Sequence, residues 1–480
     1  MSNSIIHNFK NDLKKICKSN KHDIALFDSI NNSKISYGNL WKEISKLNYF
    51  FKKKFNKDDI AISCLDNSLS TLNLFLCFSA FGYKYYPLSS DITVDEYKSY
   101  VGSYTPKHII VSNSTNLNLI NYFRKEKIKT ININKLAKIK KTSAQSLNKK
   151  ANLILNTSGT TGLAKKIYVD INKLWSSGKN FSNNYKFLNE NSTIINYLPM
   201  SYLGGLFNLC LIPLSKKCKI VITEKFSGKT FFNIWSLVKK YNVNILWLVP
   251  SILKGLIKFY SLYQNHNDTK KIKIDACFLG TAPIKIQDKI KFQKLFKTLI
   301  YENYGTSETT FISVETKNNK LEKQNYVGKL LSHIKIKKNI KQSLTILSPY
   351  NFDGYIEDLS DKPKKEIYFD TGDVFKLTNK NFLKIIGRTK EIIKKGGNLI
   401  PLRQMSNILE NHHNINEAMA KKINHEFYGE DYNLFYTSET KREIKDIEEW
   451  FKNKVSHLKY PNKILFVKKF KKTESGKIKI

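Results

Sequence analysis

Short apolar runs recur along this chain with helical patterns between them, and that rhythm limits the folds open to it more than any other feature. Asp59-Ile-Ala-Ile-Ser63 and His108-Ile-Ile-Val-Ser112 read as strands, and Ser68–Phe81 reads as a buried helix between them. The rhythm returns in Thr193–Leu198, Cys218–Ile222, Asn244–Val249 and Asp275–Leu279. Strands alternating with helices predict an α/β fold with parallel sheets. From about 325 to 387 the helical patterns fade, and short strands such as Ser343–Ile346 and Phe382–Ile386 predict a small β-subdomain. A boundary is expected at Arg388-Thr389-Lys390. Beyond it lie Glu391–Lys395, the pair Gly396-Gly397 and a helical pattern from Leu402 to His412, which read as a small α+β domain. A length of 480 residues accommodates two such domains with their own cores.

Composition narrows the function classes. Lys and Arg number 81 against 40 Asp and Glu, a net charge of +41. Such a charge raises the local concentration of anions and raises the question of nucleic acid. The basic residues, however, include only four arginines, Arg124, Arg388, Arg403 and Arg442. Base readout and bidentate phosphate recognition favour arginine. The lysines are spread over the whole chain beside abundant Asn and Ile, so no specific nucleic-acid partner is expected. The six cysteines form no C-x-x-C pair and several lie in apolar runs, which predicts reduced, buried thiols and a cytoplasmic protein. The N-terminal stretch has no signal-peptide core, and the apolar run Leu72–Phe81 is too short to span a bilayer. No integral membrane association is expected, and Lys138–Lys150 reads as a polar surface linker.

The chemistry is concentrated in Asn156-Thr-Ser-Gly-Thr-Thr-Gly-Leu-Ala-Lys-Lys166, which follows the apolar Leu153-Ile154-Leu155. Backbone N–H groups in a glycine-containing turn cradle phosphate oxygens, hydroxyls add donors and Lys165 supplies charge. The spacing is not that of a Walker P-loop. Taken alone, the segment also fits an ordinary solvated loop. Four further segments follow in order: Leu279-Gly-Thr-Ala-Pro-Ile284, Glu302-Asn-Tyr-Gly-Thr-Ser-Glu308, Tyr368-Phe-Asp-Thr-Gly-Asp373 with Gly387-Arg-Thr-Lys390, and Thr473-Glu-Ser-Gly-Lys477. Together the five resemble the signature set of the adenylate-forming (AMP-binding) superfamily, and Ile35-Ser-Tyr-Gly-Asn-Leu40 resembles its early segment.

That resemblance implies an AMP-binding N-terminal domain over 1–388 and a mobile C-terminal domain over 389–480 that carries a catalytic lysine. It implies ATP-dependent activation of a carboxylic acid to acyl-AMP, followed by transfer of the acyl group to a thiol. Thr157, Ser158, Gly159, Thr160, Thr161, Gly162 and Lys165 would hold the β- and γ-phosphates, and Lys166 is available as a further phosphate contact. Gly280, Thr281, Ala282, Pro283, Asn303, Tyr304 and Gly305 would bind the nucleotide, with Tyr304 stacked on adenine. Ser307 would meet the α-phosphate and Glu308 would hold Mg²⁺. Asp373 would accept the ribose hydroxyls with help from Arg388, and Lys477 would reach both the carboxylate and the α-phosphate. Lys390 would be the hinge, and Gly396 and Gly397 would line a thiol tunnel. Tyr202 and Gly204, in Leu198-Pro-Met-Ser-Tyr-Leu-Gly-Gly-Leu206, would border the acyl pocket.

Each residue also has a plain structural reading: core packing for Tyr304, a simple turn for Thr371-Gly-Asp373, a solvated tail for Lys477. The chain departs from the family pattern at Ala164, Lys166, Tyr202 and Arg403, and at Lys471 or Lys472, where a proline is usual. The leading expectation is an AMP-forming acid–CoA ligase using ATP, Mg²⁺ and coenzyme A, acting as a monomer or homodimer. The alternative is a stand-alone adenylating enzyme that passes an acyl or aminoacyl group to the phosphopantetheine of a carrier protein in trans. A non-catalytic binding protein that kept the fold is a third reading, and retention of Lys165, Glu308, Asp373 and Lys477 argues against it.

Overall fold

A computed structural model of the chain describes residues 6–157, 165–261, 273–337, 343–364, 366–395, 398–426, 429–439, 444–455, 457–472 and 478. Among these residues the backbone forms three sheets. The first has seven strands. Ile60–Leu65, Lys84–Ser89, Ile109–Val111 and Thr130–Asn132 pair in parallel, and Lys84–Ser89 continues in parallel to Asn152–Thr157. Parallel strands need covered faces. The helix Leu69–Phe81 covers one face with a wholly buried segment that is apolar nearly throughout, begun by the Ser68 side chain on the Thr71 N–H and ended at Gly82 in the left-handed region.

The second sheet has thirteen strands. At its centre Leu299–Thr306, Ala276–Leu279, Ile245–Leu248, Thr193–Asn196, Lys219–Ile222 and Ile24–Asp28 run parallel. The short strands expected over 325–387 are present and antiparallel. They do not stand apart: Tyr326–Leu330, Phe382–Arg388, Phe369–Leu377, Ser343–Leu347 and Lys335–Lys337 extend this same sheet beyond Thr310–Val314. One short strand, Gly354–Ile356, leaves them and pairs with Lys165–Asp170 in the first sheet. It thereby ties the two sheets together.

Sheet membership changes across Thr389–Glu391. Arg388 ends a strand of the large sheet, Thr389–Glu391 form a 3₁₀ turn, and Ile392–Lys395 opens a separate five-stranded sheet with the helices Leu402–Glu410 and Ile444–Lys452. This C-terminal unit has its own core of Ile393, Ile400, Met405, Leu409, Leu434 and Phe451. It touches the rest of the chain where Lys285 Nζ donates to the Glu410 carbonyl at 2.7 Å.

All six cysteines are buried and none is in a disulfide. Burial pushes the Cys17 thiol up to about 12. No helix among the described residues is long and apolar enough to cross a membrane. The 138–150 linker is held against the body: Asn48 Nδ2 donates to the Ser143 and Gln145 carbonyls, and the Leu147 N–H to Phe81.

Candidate active site

The site lies where the two large sheets meet. Strands Ala276–Leu279 and Leu299–Thr306 run side by side, with Leu279 opposite Glu302. The segments that leave their C-terminal ends therefore lie together, as ligand-binding loops of parallel sheets do. A Cβ placed on Gly280 would be 2.7 Å from Asn303 Oδ1, so glycine here leaves room for the Asn303 side chain. The next residue, Thr281, has φ +78°, a conformation that costs a β-branched residue about 1–3 kcal/mol. Asn303 is 8% exposed and its Nδ2 has no partner among the described residues. A buried amide donor left open suits the edge of a bound base.

Further along the same strand, Tyr304 donates its hydroxyl to Asp373 Oδ2 at 2.5 Å. Arg388 Nε meets Asp373 Oδ1 at 2.8 Å. Asp373 and Arg388 are directly opposite each other on paired strands, which explains why Thr-Gly-Asp and Gly-Arg belong together although 15 positions separate Asp373 from Arg388. Gly372, at φ +69°, lies within the strand Phe369–Leu377 and not at a plain turn, and the Thr371 hydroxyl accepts from the Asp373 N–H. Burial and the neighbouring Asp373 hold the Tyr304 phenol well above its ordinary value, so it remains a donor. Each Asp373 oxygen keeps a lone pair for a further donor.

Beyond Thr306 the chain turns through Ser307 and Glu308 before re-entering the sheet at Thr310. Glu308 Oε1 accepts from the Tyr355 hydroxyl at 2.8 Å, and its carbonyl accepts from the Phe352 N–H at 2.7 Å. The Tyr202 hydroxyl bonds Ser307, while the residue as a whole is 38% exposed. Withdrawal of the hydroxyl from water raises the Tyr202 phenol above its ordinary value, opposed by the Ser307 bond. A protonated phenol is no general base at neutral pH. Gly204 begins the π-helical segment Gly204–Leu211, whose turns Asn196 Nδ2 holds through the Gly205 and Leu209 carbonyls. Such π-turns are rare and gather at functional sites.

Strands Asn152–Thr157 and Lys165–Asp170 form an antiparallel pair, with Thr157 opposite Lys165. A strand rather than a helix follows the candidate phosphate loop, so no helix N-terminus of Walker type is available there. Lys165 Nζ lies 4.9 Å from the centre of the Tyr355 ring. Lys166 corrects the sequence reading. Side chains alternate along a strand, so Lys166 faces away from Lys165, and its Nζ donates to the Glu357 carbonyl at 2.7 Å instead of remaining available to a phosphate.

Ser158, Gly159, Thr160, Thr161, Gly162, Ala164, Gly396, Gly397 and Lys477 lie outside the described residues. For Thr157 and Lys390 only the backbone is described. Tyr355 and Phe352 escaped the sequence reading. Tyr355 is 47 residues from Glu308, and nothing local in Asn351-Phe-Asp-Gly-Tyr355 marks it. Glu308 is a hard oxygen donor, and no cluster of three or more His, Cys, Asp or Glu among the described residues could hold a metal without help. That donor set fits Mg²⁺, which one carboxylate shares with substrate phosphates and water.

The profile of the "AMP-binding enzyme" family matches residues 13–341, and that of the "AMP-binding enzyme C-terminal domain" matches residues 404–477. An oxalate–CoA ligase of Arabidopsis thaliana is 26% identical over 343 residues, 68% of this chain and 65% of that protein, just under two thirds of its length. A 2-succinylbenzoate–CoA ligase of Staphylococcus epidermidis is 24% identical over 337 residues, 68% of each chain. Among solved structures, ATP-bound MatB from Rhodopseudomonas palustris superposes with a TM-score of 0.86 at 18% identity, covering 98% of this chain and 97% of that one. The o-succinylbenzoate CoA synthetase of Bacillus subtilis with its acyl-adenylate gives 0.81 at 17% identity, covering 98% and 96%. These superpositions show the fold.

Proposed function

This chain belongs to the AMP-binding enzyme family, and from that premise we propose that it is an AMP-forming acid–CoA ligase. The observation that carries the reading is the convergence at one sheet junction of Asp373 with Tyr304 and Arg388, and of Glu308 with Tyr355 beside Lys165. Asp373 would accept the ribose hydroxyls, with Arg388 supporting it. Tyr304, Asn303 and the Gly280–Pro283 turn would border the adenine. Lys165 and the 157–162 hydroxyls would meet the phosphates. Carboxylate and ATP are both anions, so the work required is neutralisation and alignment. Mg²⁺ held by Glu308 would supply charge at the phosphates. The acid oxygen then attacks the α-phosphorus, and pyrophosphate leaves. In the second half-reaction a thiol sulfur attacks the acyl carbon, and AMP leaves.

The ligase reading is supported by relatives named for oxalate, 2-succinylbenzoate and 4-coumarate as acids and CoA as acceptor. Tyr202, Gly204 and the π-helical segment would border a small acid. Residues 389–480 would be the mobile domain, hinged at Lys390, with Lys477 serving adenylation and Gly396-Gly397 the thiol. Reduced, buried cysteines support a cytoplasmic setting. The test is pyrophosphate release with those three acids, an aromatic acid and a fatty acid, with free CoA and a holo-carrier protein as rival acceptors. Acyl-CoA formation with at least one acid is expected. Acyl transfer to the carrier alone would move the chain to the carrier-loading reading, and no ATP-dependent pyrophosphate release with any acid would reject adenylation.

A further inference from the structure

We propose that Tyr355 is a positioning residue that aligns both charged groups meeting magnesium-bound ATP, Glu308 through its hydroxyl and Lys165 through its ring. The inference rests on the adenylation reading of the site. Tyr355 lies opposite Ile167 across the antiparallel pair, so Lys165 is its diagonal neighbour on the same face. That placement brings the ammonium 4.9 Å from the ring centre, within cation–π range. The hydroxyl end of the same side chain reaches Glu308 Oε1 at 2.8 Å.

The ring has little freedom. Its backbone carbonyl accepts from the Lys364 N–H at 3.2 Å, and its ring packs edge-on to Phe352 with centroids 4.9 Å apart and tilted to Phe369 at 6.4 Å. Two residues upstream, the Asp353 N–H donates to the Tyr168 carbonyl, and Asp353 accepts from the Asp170 N–H and from Lys173. The segment therefore grips Glu308 twice, by the Phe352 N–H on its carbonyl and by the Tyr355 hydroxyl on its carboxylate. One Glu308 oxygen is thereby occupied, and Oε2 accepts no hydrogen bond among the described residues. A carboxylate held in one rotamer with one oxygen available presents a cation with a prepaid geometry.

The test compares Tyr355→Phe, Tyr355→Leu and Glu308→Gln in the full chain. Tyr355→Phe keeps the ring and loses the hydroxyl. The Mg²⁺ concentration for half-maximal pyrophosphate release should rise about tenfold, with kcat at saturating Mg²⁺ near wild type. By calorimetry, ATP with MgCl₂ should bind more weakly, and ATP with a chelator should bind as in the wild type. Tyr355→Leu should additionally weaken chelated ATP, because Lys165 loses its seat; should that variant fail to fold, Tyr355→Phe decides alone. A Tyr355→Phe enzyme with wild-type Mg²⁺ dependence and wild-type calorimetry overturns the proposal, as does a kcat loss at every Mg²⁺ concentration with both unchanged. Glu308→Gln separates the two levels. If it retains normal pyrophosphate exchange, the adenylation reading of the site fails; if it is crippled while Tyr355→Phe behaves as wild type, only the positioning role fails.

Discussion

At the scale of single residues, this site is built from carboxylates held by tyrosine hydroxyls, with one arginine beside them. Asp373 has Tyr304 on one oxygen and Arg388 on the other, and Glu308 has Tyr355. Glu308→Ala removes the carboxylate assigned to the metal and should lower pyrophosphate exchange on the order of 100-fold. Near-normal exchange at saturating Mg²⁺ would contradict that assignment. A second cluster sits just behind the nucleotide strand. Lys289, 1% exposed, bridges Glu315 at 2.6 Å and Glu302 at 3.2 Å, and Glu315 Oε1 has no partner among the described residues. Two carboxylates share one ammonium, and burial followed by Glu315 repulsion outweighs Lys289, leaving the Glu302 carboxyl raised to about 7. A carboxyl whose folded value lies above its unfolded value contributes stability that is present at low pH. That contribution is lost as pH rises from about 4.5 toward 7. Glu302→Gln should flatten this part of the stability–pH curve, measured as urea midpoints between pH 4.5 and 8. A variant with the wild-type slope would show that Glu302 does not titrate there.

At the scale of elements, the strand that carries Tyr304 turns back on itself within a few residues. A Cβ on Gly305 would fall 1.6 Å from the Thr310 carbonyl oxygen, and the pairing shifts register between Tyr304 and Gly305. The return strand begins with Thr310 at φ +58°, its hydroxyl bonded to Ser177 at 2.7 Å. Gly305 therefore sits at a contact that no side chain can enter, and the tight return leaves Ser307 and Glu308 in the turn between the two strands. Gly305→Ala must push the two strands apart. It should lower stability by about 1–3 kcal/mol, read as a fall in thermal midpoint, and weaken ATP binding in the same variant. An unchanged midpoint would mean that the turn can relax without cost.

At the scale of the whole molecule, the C-terminal sheet has its own core and is reached from the large sheet through a single 3₁₀ turn, Thr389–Glu391. Proline fixes φ near −65°. A hinge that alternates between two poses should not survive Lys390→Pro, and such residues at element ends absorb domain rotation elsewhere. Lys390→Pro should spare adenylation and block thiol transfer from supplied acyl-AMP. Lys477→Ala should do the reverse. The two half-reactions measured separately check this, and equal loss of both in both variants would reject a two-pose cycle.

Much of this fold was legible because its signals are local. The period of the apolar residues marked the strands Ile60–Leu65 and Ile245–Leu248. The buried helix Leu69–Phe81 was legible from its largely apolar run. The short motifs singled out Lys165, Tyr304, Glu308, Asp373 and Arg388 because their residue types stand at fixed short spacings, although all but Glu308 lie within strands. Sequence alone left three things open. It could not tell that the strands over 325–387 extend the central sheet, since strand order follows from pairing and not from propensity. It offered Lys166 to a phosphate, whereas the register of Asn152–Thr157 against Lys165–Asp170 turns its ammonium to Glu357. And it passed over Tyr355, whose contact with Glu308 spans 47 residues. Alternation, capping and turn chemistry are written within a few neighbouring residues, but which distant side chains meet depends on register and sheet order, and these are fixed only when the whole chain packs.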